Sequence, residues 1–509
     1  MVVKILILVI FFAVMILVGV NAKKKVNGVD DFVLGGRKIG PWMAAFSFGT
    51  SYFSAVIFVG YAGQFGWKFG IASTWIGLGN ALIGSMLAWV ILGRRTRVMT
   101  NHLSSSTMPD FFGKRYDSKA IKIAASAIAF VFLIPYTASV YNGLSKLFAL
   151  AFDIPYAAVV IGMAVLTGIY VILGGYMASS MNDFIQGMIM LIGIIAVIAS
   201  VLAGQGGFTE AIKSLANVQS AETVEQPGVF ASFFGPDPFG LLSVVVLTSL
   251  GTWGLPQMVQ KFYAIKDEKA IKTGTIVSTF FAIVIGGGSY FMGGFGRLFG
   301  AAEDFTVDGK MAYDGIVPAM LQNSLSDILI GVVVVLVLSA SMSTLSALVL
   351  TSSSTLTLDL LKGNIIKDMN QKKQLLIMRI MIVFFVAVSV IIALDPPTAI
   401  AQLMGISWGA LAGSFLAPFL YGLYWKKVTR PAVWVSFLSG VGITVASLFI
   451  DSLSPIVAGA AAMIAGLIIV PVVSAVTRNS QKDKNRVENI FECYNVNITV
   501  KKSRQLSGD

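Results

Sequence analysis

Thirteen long apolar runs, nearly free of charge, follow one another along this chain, and few folds can hide so many. They fall near 2–22, 41–65, 70–93, 123–150, 154–174, 180–204, 239–260, 274–299, 328–356, 375–394, 398–424, 432–450 and 455–476. A helix crossing a bilayer needs about 20 apolar residues, and runs of this length without alternating polarity predict helices rather than barrel strands. Only 12% of the residues are charged, about half the roughly 25% of a soluble domain. One cysteine, Cys493, excludes an intrachain disulfide framework. The expectation is an all-α polytopic protein of the lipid bilayer. A secreted scaffold, a disordered chain and an ordinary cytosolic enzyme are excluded.

Charge placement predicts the orientation. The first run, Ile5 to Val20, has the length of a signal-peptide core, but Lys23-Lys24-Lys25 follows it and only Lys4 precedes it, the reverse of a signal peptide. A retained helix with its N-terminus outside is predicted, and thirteen spans then put the C-terminus in the cytoplasm. All but six of the 37 Lys and Arg fall on the predicted cytoplasmic side. They include Arg37, Lys38, Arg94, Arg95, Arg97, the stretch Lys261–Lys272, Lys372, Lys373, Lys426, Lys427, Arg430 and the tail after Arg478. The outer side holds twelve Asp and Glu, among them Glu303, Asp304 and Asp308. That is the positive-inside bias. The net charge of +12 is therefore topological, and nucleic acid is not a predicted partner.

Two spans are built to break. The second carries Ser47-Phe48-Gly49-Thr50-Ser51-Tyr52-Phe53-Ser54 at mid-membrane. Such a cluster suits an unwound segment whose carbonyls line a cavity, or else a small-residue packing face. The seventh carries Thr248-Ser249-Leu250-Gly251-Thr252-Trp253-Gly254-Leu255-Pro256-Gln257. There Pro256 removes a backbone donor between flexible glycines. Two interrupted helices five spans apart are what two inverted five-helix repeats would give, with a solute site between the breaks.

In the ninth span eleven of the nineteen residues from Ser339 to Thr357 carry hydroxyls. Ala340, Ser343, Thr344 and Ala347 share one helix face. Hydroxyls there either ligate a monovalent cation together with carbonyls of an unwound neighbour, or bond back to their own helix. Asp183 is the one acid placed inside a predicted helix, near the start of the sixth span. It reads as a functional intramembrane carboxylate or as an interfacial helix-start residue.

These residues resemble those of the sodium:solute symporter family over about 1–476. The resemblance is carried by Asp31-Phe32-Val33-Leu34-Gly35-Gly36-Arg37, by Tyr170-Val171-Ile172-Leu173-Gly174-Gly175-Tyr176-Met177-Ala178 ahead of Asp183, by Ser341-Met342-Ser343-Thr344-Leu345-Ser346, and by Trp425-Lys426-Lys427-Val428-Thr429-Arg430. The sodium/proline branch is nearest, from Pro135-Tyr136-Thr137-Ala138-Ser139 and Gly254-Leu255-Pro256. The resemblance implies a leucine-transporter-like core at 41–424, with repeats at 41–204 and 239–424. An extra helix at 1–22 precedes it, and two helices at 432–476 and a cytoplasmic tail at 477–509 follow. It implies co-transported sodium held by the Ser343 and Thr344 hydroxyls and the carbonyls of Ala340, Thr50 and Phe53. Asp183 would stand at the sodium exit or, with Ser346, at a second ion site. Because Ala347 replaces a further serine, one coupled sodium is expected. Tyr52 departs from the branch, which has an Asp there, and Thr248 and Thr252 stand at positions that are aromatic in the proline carriers. Tyr52, Tyr136, Thr248, Thr252, Trp253 and Pro256 are the candidate solute-binding residues.

The expected function is sodium-coupled uptake of a small organic solute, foremost an amino acid such as proline, in a prokaryotic plasma (inner) membrane. A proton-coupled carrier of the same fold, a monocarboxylate or vitamin carrier, and a membrane sensor are the alternatives. No HExxH, nucleophile elbow or paired catalytic acids mark an enzyme, and no obligate protein partner is evident. The sole histidine, His102, reads as solvated loop, and Gly286 to Gly294 as a close-packing helix face.

Overall fold

Helices make up nearly the whole of the chain, and their breaks fall where the sequence weakens them. The computed structural model describes residues 2–24, 26–152, 154–307, 309–450, 452–478 and 484–494; Lys25, Asp308 and the tail 495–509 lie outside the described residues. Among the described residues eight helices are long and apolar enough to cross a membrane, nine if the bent pair Pro238–Gly254 and Pro256–Tyr263 counts as one span. Large apolar side chains such as Ile192, Ile195, Phe384 and Ile391 remain exposed on the outside of the bundle. That is the surface a helical protein presents to lipid rather than to water. The small antiparallel pair Thr306–Val307 with Lys310–Met311 is the one strand pairing among the described residues.

Several boundaries differ from the sequence reading. The second span begins at Pro41, stops at Tyr52 and resumes through 55–69, and Gly70, at φ +60°, ends it. The helix that follows runs unbroken from Thr74 to His102, so Arg94–His102 continues the span predicted to end at 93, and Met108–Arg115 is a further helix before the span predicted to start at 123. The predicted fifth and sixth spans form one run, Tyr156–Gly204, interrupted by a kink at Gly175 (φ +52°, ψ −141°). Only glycine adopts that conformation readily, and a Cβ there would stand 2.6 Å from the Phe32 carbonyl oxygen. The ninth span extends to Leu361 and so takes in Asp359, buried against Lys122 at 3.1 Å. Asp183 is thus not the only acid within the long helices.

Gly66 and Gly293 let the two crossing helices meet backbone to backbone, since a Cβ on Gly66 would fall 2.0 Å from the Gly293 carbonyl oxygen. The 286–294 glycines form the packing face expected of them. At the end of the bundle rich in Lys and Arg, the segment after the first helix is tied to the segment after the second broken helix. Ile39 N–H donates to the Ala264 carbonyl (3.2 Å), Lys266 N–H to the Ile39 carbonyl (3.1 Å), and the Arg37 guanidinium to the Ser105 and Tyr263 carbonyls. Arg97 Nε donates to the Ile265 carbonyl at 2.6 Å. This end is closed. The tail helix Lys484–Glu492 packs against the same end, burying Val487, Ile490 and Phe491.

Candidate ion and solute site

At the first break the backbone loses its helical partners in sequence. Phe53 N–H still bonds the Gly49 carbonyl at 3.4 Å. Ala55 N–H, however, goes to Ser341 Oγ and Val56 N–H to Ser54 Oγ, both at 3.2 Å. Ile57 N–H goes to the Ser54 carbonyl at 3.0 Å. In a continuous helix these three donors would serve the carbonyls of Ser51, Tyr52 and Phe53, which are released instead. The hydroxyl face of the Asp327–Thr355 helix stands opposite. Thr344 Oγ1 lies 3.3 Å from the Ser51 carbonyl oxygen and 3.2 Å from that of Ala340. One proton serves three oxygens there, at long distances. An excess of oxygen lone pairs over protons, fully buried, is the donor set a hard monovalent cation takes.

The second cluster adjoins it. Ser343 Oγ lies 2.7 Å from Asp183 Oδ1 and 2.8 Å from Thr50 Oγ1, whose own proton points to the Phe46 carbonyl at 2.8 Å. Ser47 Oγ donates to Asp183 Oδ2. Asp183 is fully buried, eight residues past the turn at Gly175, so it is no interfacial helix-start carboxylate. Ser346 Oγ pairs with Ser179 Oγ at 2.7 Å and with the Ser343 carbonyl at 2.9 Å. The predicted ion residues Thr50, Phe53, Asp183, Ala340, Ser343, Thr344 and Ser346 therefore meet in one region. The carbonyl that Thr344 touches is that of Ser51, not that of Thr50.

Two of the predicted solute residues, Tyr52 and Tyr136, flank Trp408. The Tyr52 ring stacks on it at 5.9 Å between centroids and the Tyr136 ring meets it edge-on at 5.8 Å. Tyr52 donates to the Thr248 carbonyl. Thr248 Oγ1 bonds back to the Val244 carbonyl at 2.8 Å. Thr252 Oγ1 donates toward Gly84 (2.9 Å) and Trp253 Nε1 to the Ile83 carbonyl (3.0 Å), so both hold the second broken helix to its neighbour. Pro256 opens the Pro256–Tyr263 helix across a 46° bend. Ser51 Oγ and both ends of the Gln257 amide are buried without a partner, a cost that a polar solute could remove. A separate narrow pocket beside the first break is lined by Phe53, Ser54, Ile57, Met190, Ile285 and Ala340.

Residues 32–440 match the profile of the sodium:solute symporter family, more than half of the chain. The chain belongs to the sodium:solute symporter family. An osmoregulated proline transporter of Bacillus subtilis is 28% identical over 501 residues, 95% of this chain and 96% of that protein. A sodium/proline symporter of Haemophilus influenzae is 29% identical over 434 residues, 84% of each. Among solved structures, the substrate-bound outward-open state of a sodium-coupled sialic acid symporter superposes with a TM-score of 0.76 at 16% identity. That match covers 93% of this chain and 97% of the other. A closed, bromovinylhydantoin-bound nucleobase-cation-symport transporter gives 0.52 at 14%, covering 90% and 97%. The fold is that of these transporters, and this family member is a multi-pass membrane protein that takes up a small solute with sodium.

Sequence reasoning missed three contributors to this symporter's site. Lys261, counted with the cytoplasmic basic stretch, is 2% exposed and donates to Ser47 Oγ at 2.7 Å. Trp408 lies in a span whose few scattered polar residues, Gln402, Ser407 and Ser414, gave no local signal. Ser51 supplies the freed carbonyl, one residue from the predicted position. Only Lys261 carried a clue: it shares a short helix with Pro256 and is flanked by Val259, Phe262 and Tyr263.

Proposed function

We propose that this symporter takes up proline with one sodium ion, the ion held where the first broken helix meets the hydroxyl face of the Asp327–Thr355 helix. The observation that carries the reading is Thr344 Oγ1 beside the Ser51 and Ala340 carbonyls. With the Ser343 hydroxyl and the freed Phe53 carbonyl, five oxygens are at hand. Asp183, one hydroxyl away through Ser343, lowers the potential for a cation passing toward the basic end. The solute would lie between the two breaks, its ring against Tyr52 and Tyr136 and its polar ends on groups near Thr248, Thr252, Trp253 and Pro256.

In this reading the chain crosses the membrane thirteen times, N-terminus out and C-terminus in. Inverted repeats at 41–204 and 239–424 form the core, with helices at 1–22 and 432–476 outside it, in a prokaryotic plasma membrane. The proline relatives and the charge bias support it. Sodium binding would stabilise the unwound segment in the shape that accepts solute, so that sodium and solute raise each other's affinity equally. One charge falling through 100 mV releases about 2.3 kcal/mol, and a tenfold sodium gradient adds about 1.4, sufficient for roughly a few hundred-fold accumulation.

The test is labelled L-proline uptake into proteoliposomes, an inward sodium gradient against an equal potassium gradient. Sodium-stimulated accumulation is expected. Accumulation of another amino acid, a monocarboxylate or a vitamin in place of proline would overturn the substrate, and accumulation on a pH gradient without sodium would overturn the ion.

A further inference from the structure

The sodium cycle proposed above assigns no step to Lys261, yet the fold places that ammonium beside the buried carboxylate of Asp183. Lys261 comes from the second broken helix, Asp183 from the helix after Gly175, and Ser47 from the first broken helix. Nζ donates to Ser47 Oγ at 2.7 Å, lies 3.5 Å from Asp183 Oδ2, and stands 5.1 Å from the centre of the Tyr176 ring. Lys261 and Asp183 are 2% and 0% exposed. The other carboxylate oxygen of Asp183 faces Ser343, and Ser343 faces Thr50. One carboxylate thus looks toward the proposed sodium shell with one oxygen and toward a tethered cation with the other.

We propose that Lys261 is a built-in replacement cation: it settles on Asp183 when sodium leaves and keeps the buried carboxylate neutralised while the empty carrier returns. The physical reason is the large cost of an uncompensated charge in a low-dielectric interior. With sodium on Ser343 and Thr344, the positive charge beside Asp183 comes from the ion, and the ammonium is repelled. Without sodium, only Lys261 supplies it. The two cations therefore take turns on one carboxylate, and the sodium-free return depends on the lysine whereas the sodium-loaded crossing does not. Because Lys261 sits on a helix that moves relative to Asp183 if the two repeats rock, the pair also sets which arrangement the empty carrier prefers.

The inference rests on the sodium reading, and two assays on the same proteoliposomes separate their failures. Net uptake under a sodium gradient requires the empty carrier to return. Exchange against internal unlabelled solute, with equal saturating sodium on both sides, does not. Lys261→Gln is expected to lower the ratio of net uptake to exchange ~tenfold or more, and Lys261→Arg to keep it within about threefold. The double variant Lys261→Gln with Asp183→Asn, which has no charge left to neutralise, should recover the ratio. If Lys261→Gln lowers both activities in proportion, or neither, the proposal is overturned. Should Lys261→Gln not fold, the double variant decides: a ratio near that of the unmodified protein supports the replacement role, and a tenfold loss overturns it. A protein that exchanges solute without sodium dependence would overturn the sodium reading itself. Exchange of a solute other than proline leaves the ratio readable with that solute.

Discussion

The Tyr52 hydroxyl donates to the Thr248 carbonyl at 2.5 Å and so joins the two broken helices, one residue before the first break. That bond and the stack on Trp408 pin the Tyr52 side chain between the two breaks, where the solute is proposed to lie. Tyr52→Phe removes one buried hydrogen bond, a net of about 1 kcal/mol, and keeps the stack. The expected result is a less firmly held side chain and a roughly fivefold lower half-maximal solute concentration. Tyr52→Ala also removes the ring face and should raise that concentration by ~tenfold or more. Uptake kinetics decide it: a rise for Tyr52→Phe as large as for Tyr52→Ala would mean that the hydroxyl itself binds the solute.

The helical architecture and both breaks were legible because they are local. Apolar length specifies a membrane helix, and Gly49 to Ser54 and Gly251 to Pro256 concentrate the residues that loosen one. Asp183 and Ser343 lie 160 positions apart, and the packing of the Tyr156–Gly204 run against the Asp327–Thr355 helix brings the carboxylate alongside the hydroxyls. A positive-inside count reads Lys261 only by its sequence neighbours, whereas the Pro256–Tyr263 helix buries it against Ser47 and Asp183. The charges of Arg94, Arg95 and Arg97 end the apolar run at 93 in the sequence, although Thr96, Val98, Met99 and Thr100 are buried in a helix that simply continues.

Thr344→Ala removes the hydroxyl shared between the Ser51 and Ala340 carbonyls and leaves two oxygens facing each other. The half-maximal sodium concentration should rise ~tenfold or more, and Thr344→Ser should restore most of it, since one lost ligand is equivalent to about 1.4 kcal/mol. Ser343→Ala should raise it similarly while also leaving Asp183 Oδ1 without its donor. Sodium titrations of initial uptake at fixed solute measure both. Unchanged sodium dependence in the two alanine variants would remove the ion site from this helix.

Gly175→Ala tests the turn that positions Asp183. The backbone there, φ +52° and ψ −141°, costs a non-glycine residue about 1–3 kcal/mol. The added Cβ also meets the Phe32 carbonyl oxygen and ring, at 2.6 and 2.7 Å. Thermal unfolding in detergent should show a clear loss of stability. Gly162→Ala, in the same run but with nothing within 4 Å of the new Cβ, should be neutral or slightly stabilising because alanine is the better helix former. Equal behaviour of the two variants would contradict the turn.

Cys493 reports whether the tail helix stays docked. Its side chain is 5% exposed, near the Arg95 guanidinium that lies over the Tyr494 ring at 4.6 Å. Burial pushes the thiol up to about 11, with Arg95 opposing. The thiolate is the species that reacts. At neutral pH the folded protein should therefore react with maleimide ~100-fold more slowly than the unfolded chain, from ionisation alone. Below pH 9 the thiol is neutral in both states and contributes nothing to the pH dependence of stability. Between about 9 and 11 the unfolded chain loses the proton while the folded one keeps it, so stability falls as pH rises through that window. Labelling of the folded protein at the unfolded rate would mean that the tail helix is not held against the basic end.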